Sequence, residues 1–229
     1  MDKAATTLIK YIHDGGPAIM WPLVVMFILS VAITIWRLTV ILIALFNTRT
    51  LFRKVYSALE DRENGLKNAS EICAHTPGPI ASIIHAGLSR AHLGVDHVEK
   101  AVQSAGAVEM AFLENGLVWL ATIANVAPLL GFFGTVVGMI MAFQAIAAAG
   151  EVEPTVVATG ISIALITTAG GLIVAMPTQI AYNLCVWLID RIVVSMDENS
   201  TRLIDTLIDL GYDEKIKQQE TEVIIQNPE

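Results

Sequence analysis

Residues 115–150 read NGLVWLATIANVAPLLGFFGTVVGMIMAFQAIAAAG, and residues 154–189 read PTVVATGISIALITTAGGLIVAMPTQIAYNLCVWLI. Neither stretch holds an Asp, Glu, Lys or Arg. A soluble helix needs a solvated face, and a helix of 36 residues without a charge has none. A bilayer core of roughly 30 Å takes about 20 apolar helical residues, so each run can span and project beyond it. A third run, Pro17 to Trp36, is also free of charge and about the right length. The rival reading, buried helices of a large soluble core, has to account for all three.

The whole chain fits that pattern. Hydrophobic residues make up 54 % of its 229 positions and charged ones only 16 %. The net charge of −8 is concentrated late, with ten acidic against four basic residues from Asp190 onward. No basic stripe points to nucleic acid. Cys73 and Cys185 form no CxxC and no disulfide framework. The first apolar run is too long for a removable signal peptide and lacks a small-residue cleavage site. The fold class is therefore all-α, an integral membrane protein with three transmembrane helices and long helices extending into the cytoplasm.

The expected order is a tail (1–16), a first span (17–46), a polar helical region (47–116), a second span (117–150), a short link (151–154), a third span (155–189) and an amphipathic helix with an acidic tail (190–229). Gly15-Gly16-Pro17 opens the first span, and Arg37, late in it, can snorkel to the headgroups. Thr76-Pro77-Gly78-Pro79 must break any helix. Asp96-His97-Val98-Glu99 has capping-box spacing, and the helix it starts is expected to run unbroken into the second span. Arg49, Arg53, Lys54 and Arg62 follow the first span, and Arg191 and Arg202 follow the third. The link between the second and third has no basic residue, which places the large loop and the C-terminus in the cytoplasm and the N-terminus in the periplasm. Lys3 and Lys10 in the N-terminal tail run against this orientation.

Within the second span, Ala121, Ala124, Pro128, Gly131, Thr135, Gly138, Ala142, Ala145 and Ala149 recur at intervals of three and four, one helix face kept small. Gly134 to Gly138 is also a GxxxG. The third span has a looser version through Gly160, Ala164, Thr167, Gly171, Val174, Thr178, Ala181 and Cys185. Packing within one chain would explain part of this. A stripe of such length also suggests side-by-side copies or a cavity filled by another helix. Pro128 and Pro177 can kink their helices. Hydroxyls are sprinkled through both spans, but no carboxylate, Lys or His is. A membrane proton relay needs a group that titrates, so a proton-coupled task requires a partner to bring one.

These residues resemble a known family. Leu120 to Met139 is similar to the second-span signature of the ExbB/TolQ proteins, shared distantly with the flagellar stator subunit MotA, and Leu165 to Pro177 followed by Tyr182-Asn183 is similar to their third-span signature. The resemblance covers nearly the whole chain. It implies the channel-forming subunit of a motor driven by the proton-motive force in the bacterial inner membrane, energising envelope transport or maintenance. It also implies a homo-pentamer around a single-span ExbD- or TolR-like dimer, with a TonB- or TolA-like protein beyond. By motif position Thr135 and Thr168 match the family's pore-facing threonines in the ion pathway. Pro128, Gly131, Gly134, Gly138, Gly171 and Pro177 fall at pore or subunit-packing positions. Members often carry a glutamate five residues before the second threonine, where this chain has Ile163. Ala169 stands where sodium-driven relatives tend to have a hydroxyl, which points to protons.

An enzyme is the first rival. The chain has no HExxH, GxSxG, P-loop or strand-linked GxGxxG. Its five histidines lie outside the spans, and neither a metal nor a cofactor is expected. A passive channel or a structural membrane scaffold is the other alternative, since it would use the same stripe and the same hydroxyls.

Overall fold

The computed structural model describes residues 11–46, 48–59, 65–150 and 154–211. Among them every regular element is a helix, and three helices are long and apolar enough to cross a membrane. In order these are α1 (Pro17–Phe46), α2 (Thr48–Leu59), α3 (Gly65–Ala74), α4 (Pro79–Ser89), a 3-10 turn (Ala91–Leu93), α5 (Val95–Glu114), α6 (Leu117–Ala149) and α7 (Pro154–Asp209). Residues 11–14 are also helical. Most of the expected N-terminal tail, the link at 151–153 and the acidic tail from 212 lie outside the described residues. The chain divides into two compact units, one of residues 1–37 with 116–185 and one of 38–115 with 186–229.

In the first unit α1, α6 and α7 share a core of Ile19, Met20, Leu23, Ile123, Ala127, Val174 and Ala175. Pro17 starts α1, where its missing N–H costs no hydrogen bond, and Gly16 before it takes φ +79°. The outward faces are apolar. Leu129, Phe132 and Ile180 are 65 to 69 % exposed, as lipid requires and water would not tolerate. Arg37 corrects an expectation. Rather than snorkelling, it is 1 % exposed, lying over the Trp36 ring at 5.7 Å and lining the position of Gly116.

In the second unit α2 packs on α3, α3 on α4, and α4 on α5. The C-terminal half of α7 joins them. Its Leu203 and Leu207 are buried, and a Cβ on Gly87 of α4 would stand 2.8 Å from Val102 of α5 and 3.1 Å from Leu203. Asp96 to Glu99 is not a capping box. Gly94, at φ 104°, is the residue before the helix and no side chain caps it. Asp96 therefore falls inside the first turn, where its charge still favours the helix dipole, and Glu99 accepts from Gln103 at 3.1 Å. Nor does α5 run into the second span. It stops at Glu114, and Gly116, left-handed at φ 86°, turns the chain before α6 begins at Leu117.

Candidate functional site

The small face of α6 is filled by the small face of α7. A Cβ added to Gly131 would stand 2.9 Å from the Thr167 carbonyl and 3.2 Å from Thr168 Cα, and one on Gly138 would stand 2.8 Å from the Gly160 carbonyl. A Cβ on Gly171 would stand 2.6 Å from the Ala127 carbonyl. Gly134 sits against the Thr167 side chain, and Gly160 against Ala142. The two backbones therefore touch along the stripe, the approach that small residues permit in membranes. The stripe is occupied within one chain, so its length by itself does not call for a second copy. Of the expected packing positions, Gly131, Gly134, Gly138 and Gly171 lie in this seam. Pro128 is half-buried, and Pro177 is exposed on α7.

The hydroxyls sort into two kinds. Thr167 is fully buried and donates to the Ile163 and Ala164 carbonyls at 3.0 and 2.9 Å, satisfied by its own helix. Thr178, also buried, donates to Val174 at 2.7 Å. Thr168 differs. It is half-buried, and its Oγ1 lies 3.3 Å from both the Gly131 carbonyl of α6 and the Ala164 carbonyl of its own helix. Hydroxyl bonds usually run about 2.7–2.8 Å, so this one is long, divided between two acceptors and easily re-aimed. The Gly131 oxygen is also the acceptor that an α-helix gives to the N–H of Thr135, four residues on. The Thr168 hydroxyl and the Thr135 main chain thus share one carbonyl. Thr135 is half-buried, and its hydroxyl donates to Phe132 at 2.6 Å.

Ile163 is half-buried, and its Cγ2 would be 3.7 Å from a Cβ on Gly16, so it faces the start of α1. Gln179 donates to Asn183 at 3.1 Å on an exposed face of α7. Among the described residues no three His, Cys, Asp or Glu gather as a metal site would need. The burial of Arg37 had no signal in the sequence, and the close contact of Gly160 with Ala142 had only the small-residue spacing.

The model of the MotA/TolQ/ExbB proton channel family matches residues 75–198, just over half the chain, which takes in α6 and α7 as far as Glu198. The Tol-Pal system protein TolQ of Haemophilus influenzae is 33 % identical over 165 residues, covering 68 % of this chain and 72 % of that protein. TolQ of Pseudomonas aeruginosa is 31 % identical over 186 residues, covering 74 % and 79 %. The biopolymer transport protein ExbB of Pseudomonas putida is 34 % identical over 128 residues, or 52 % of this chain and 39 % of that relative. Members of the family are channel and transport subunits rather than enzymes. The membrane-spanning helices together with these relatives point to the bacterial inner membrane. With its paired small faces, its shared threonine acceptor and a match that runs through both, the chain belongs to the MotA/TolQ/ExbB proton channel family, as a membrane channel subunit of energy-transducing systems.

Proposed function

We propose that this chain is the channel-forming subunit of an ion-driven motor, working with a single-span partner whose membrane carboxylate carries the proton. Five copies would surround a dimer of that partner, with the N-terminus periplasmic and the C-terminus cytoplasmic. The observation that carries the reading is the weakly committed hydroxyl of Thr168 at the Gly131 carbonyl, in spans that contain no carboxylate, Lys or His. A threonine can donate to a carboxylate or accept from a carboxylic acid, but it does not hold a proton through physiological pH. The titrating group therefore comes from outside these two spans, while the threonine hydroxyls follow its change of state. Ile163 replaces the glutamate common in relatives and packs toward α1, so it takes no part in the transfer.

The test is proton uptake by liposomes holding this chain together with its single-span partner. Thr168→Val keeps the shape and removes the hydroxyl, so uptake should fall at least about tenfold while assembly survives. Ile163→Val should match the unaltered chain. A fully active Thr168→Val would remove the threonine from the pathway. Steady flux through liposomes with this chain alone would replace the motor reading with the passive-channel one.

A further inference from the structure

A cavity of about 430 Å³ opens in the second unit, where the end of α1 meets α3, α4 and α5. One wall is apolar, formed by Val40 and Ile43 of α1 and Phe112 of α5. Ile43 and Phe112 are largely exposed. At about 1.5 Å per residue, the 30 residues of α1 measure roughly 45 Å, longer than a hydrocarbon core of about 30 Å. Trp36, exposed on the same helix with the Arg37 guanidinium over its ring, marks the interfacial level. Val40 and Ile43 lie about one and two turns further along α1, at headgroup depth.

The same lining carries His85 of α4 and Glu109 of α5, the latter one turn before Phe112 on its helix. His85 Nδ1 is 3.2 Å from the Ser70 carbonyl oxygen and 3.1 Å from Ser70 Oγ. A carbonyl only accepts, so Nδ1 bears the hydrogen, and in the neutral tautomer this fixes, Nε2 is an acceptor. The Glu109 carboxylate adds further acceptors and a negative charge. Cys73 also lines the cavity, and burial pushes its thiol up to about 11, so it brings no charge of its own at neutral pH. Among the described residues no Lys or Arg lines the cavity. An anionic headgroup would find no cation among these lining residues. A trimethylammonium would satisfy the charge but has no N–H to give. A primary ammonium answers both requirements, and a hydrocarbon tail answers the exposed apolar wall.

We propose that this cavity binds the ammonium head of a membrane aminophospholipid, with its acyl chains lying along Ile43 and Phe112. The test uses the full chain purified in mild detergent and supplied with equal amounts of phosphatidylethanolamine, phosphatidylcholine and phosphatidylglycerol of the same acyl composition. Native mass spectrometry should show the ethanolamine lipid retained roughly tenfold over the other two, one hydrogen-bonded charge being worth about 1.4 kcal/mol or more. Glu109→Gln should erase the preference. Ala44→Trp, which fills the cavity from α1, should lower retention of the ethanolamine lipid without touching the carboxylate, and it carries the test should the first variant lose helicity. Glu99→Gln, on α5 but outside the cavity, should change nothing. Equal retention of ethanolamine and choline lipids, or preference for phosphatidylglycerol, would overturn the assignment. So would displacement by millimolar free ethanolamine, which would make the cavity a soluble-amine site instead.

Discussion

Alanine at Gly171 and alanine at Gly170 separate a backbone seam from an ordinary packed surface. A Cβ on Gly171 would stand 2.6 Å from the Ala127 carbonyl and 3.1 Å from Gly131 Cα, all main-chain atoms of α6. It falls about 0.8 Å short of the 3.4 Å at which ordinary contact begins, and only moving one helix off the other can supply the difference. Overpacking of this kind costs about 1–3 kcal/mol. The same movement stretches the 3.3 Å bond from Thr168 to Gly131 out of reach, with a further loss of about 0.6 kcal/mol, the average for such bonds in membranes. A Cβ on Gly170 presses on Met20 Sδ at 3.2 Å and Cε at 3.3 Å, the far end of a flexible side chain that can swing away, and meets Leu23 Cδ1 at an ordinary 3.6 Å. Both variants gain the same helix propensity, up to about 1 kcal/mol, which cancels between them. Gly171→Ala should therefore be less stable than Gly170→Ala by about 2 kcal/mol, some thirtyfold in the folding equilibrium. Unfolding in mixed micelles of rising SDS fraction, followed by tryptophan fluorescence, measures this difference. Equal stability of the two variants would refute the seam.

Cysteines introduced at 151 to 153 should react with an impermeant thiol reagent from the periplasmic side, and one at Asp213 should not; the opposite pattern would invert the proposed orientation. The buried Cys73 thiol, raised to about 11, is protonated in both folded and unfolded chains well below pH 9, so its contribution to stability is level there. Above pH 9 the unfolded thiol ionises first, and that stability is lost as pH rises through about 11. In a Cys185→Ala background, Cys73→Ala should flatten this alkaline decline, measured by denaturant titration from pH 8 to 10.5. An unchanged slope would remove burial as the cause.

The three spanning helices were legible because a run of 20 to 36 residues without a charge suits a bilayer and little else. Pro17 and the Thr76–Pro79 turn were legible because proline and glycine act locally, whatever surrounds them. The break at Gly116 was hidden by the apolar run that follows at once, although Asn115-Gly116 is itself a turn dipeptide. Asp96 was misplaced by two positions because Gly94 supplied the special backbone geometry that a cap needs. At the site, periodicity marked the small face of α6 but not its neighbour. That a face is small is written in one helix, while the identity of what fills it depends on both. Sequence likewise could not separate Thr167 from Thr168, adjacent hydroxyls of which one is sealed by Gly134 and the other left half open.

The seam between α6 and α7 also restricts how this subunit can deform. Its close pairs run antiparallel, Ala142 with Gly160, Gly138 with Ala164, Gly134 with Thr167 and Gly131 with Gly171. Sliding one helix by a turn would move these glycines off their partners and set side chains against main chain at several places together. The seam is therefore a lock with a single register. Like two planks glued along a rebate, α6 and α7 can tilt or turn as one stave, but shear between them is forbidden. On the proposed function, the proton path assigned to Thr135 and Thr168 then keeps a wall of constant shape, and gating comes from what moves past that wall.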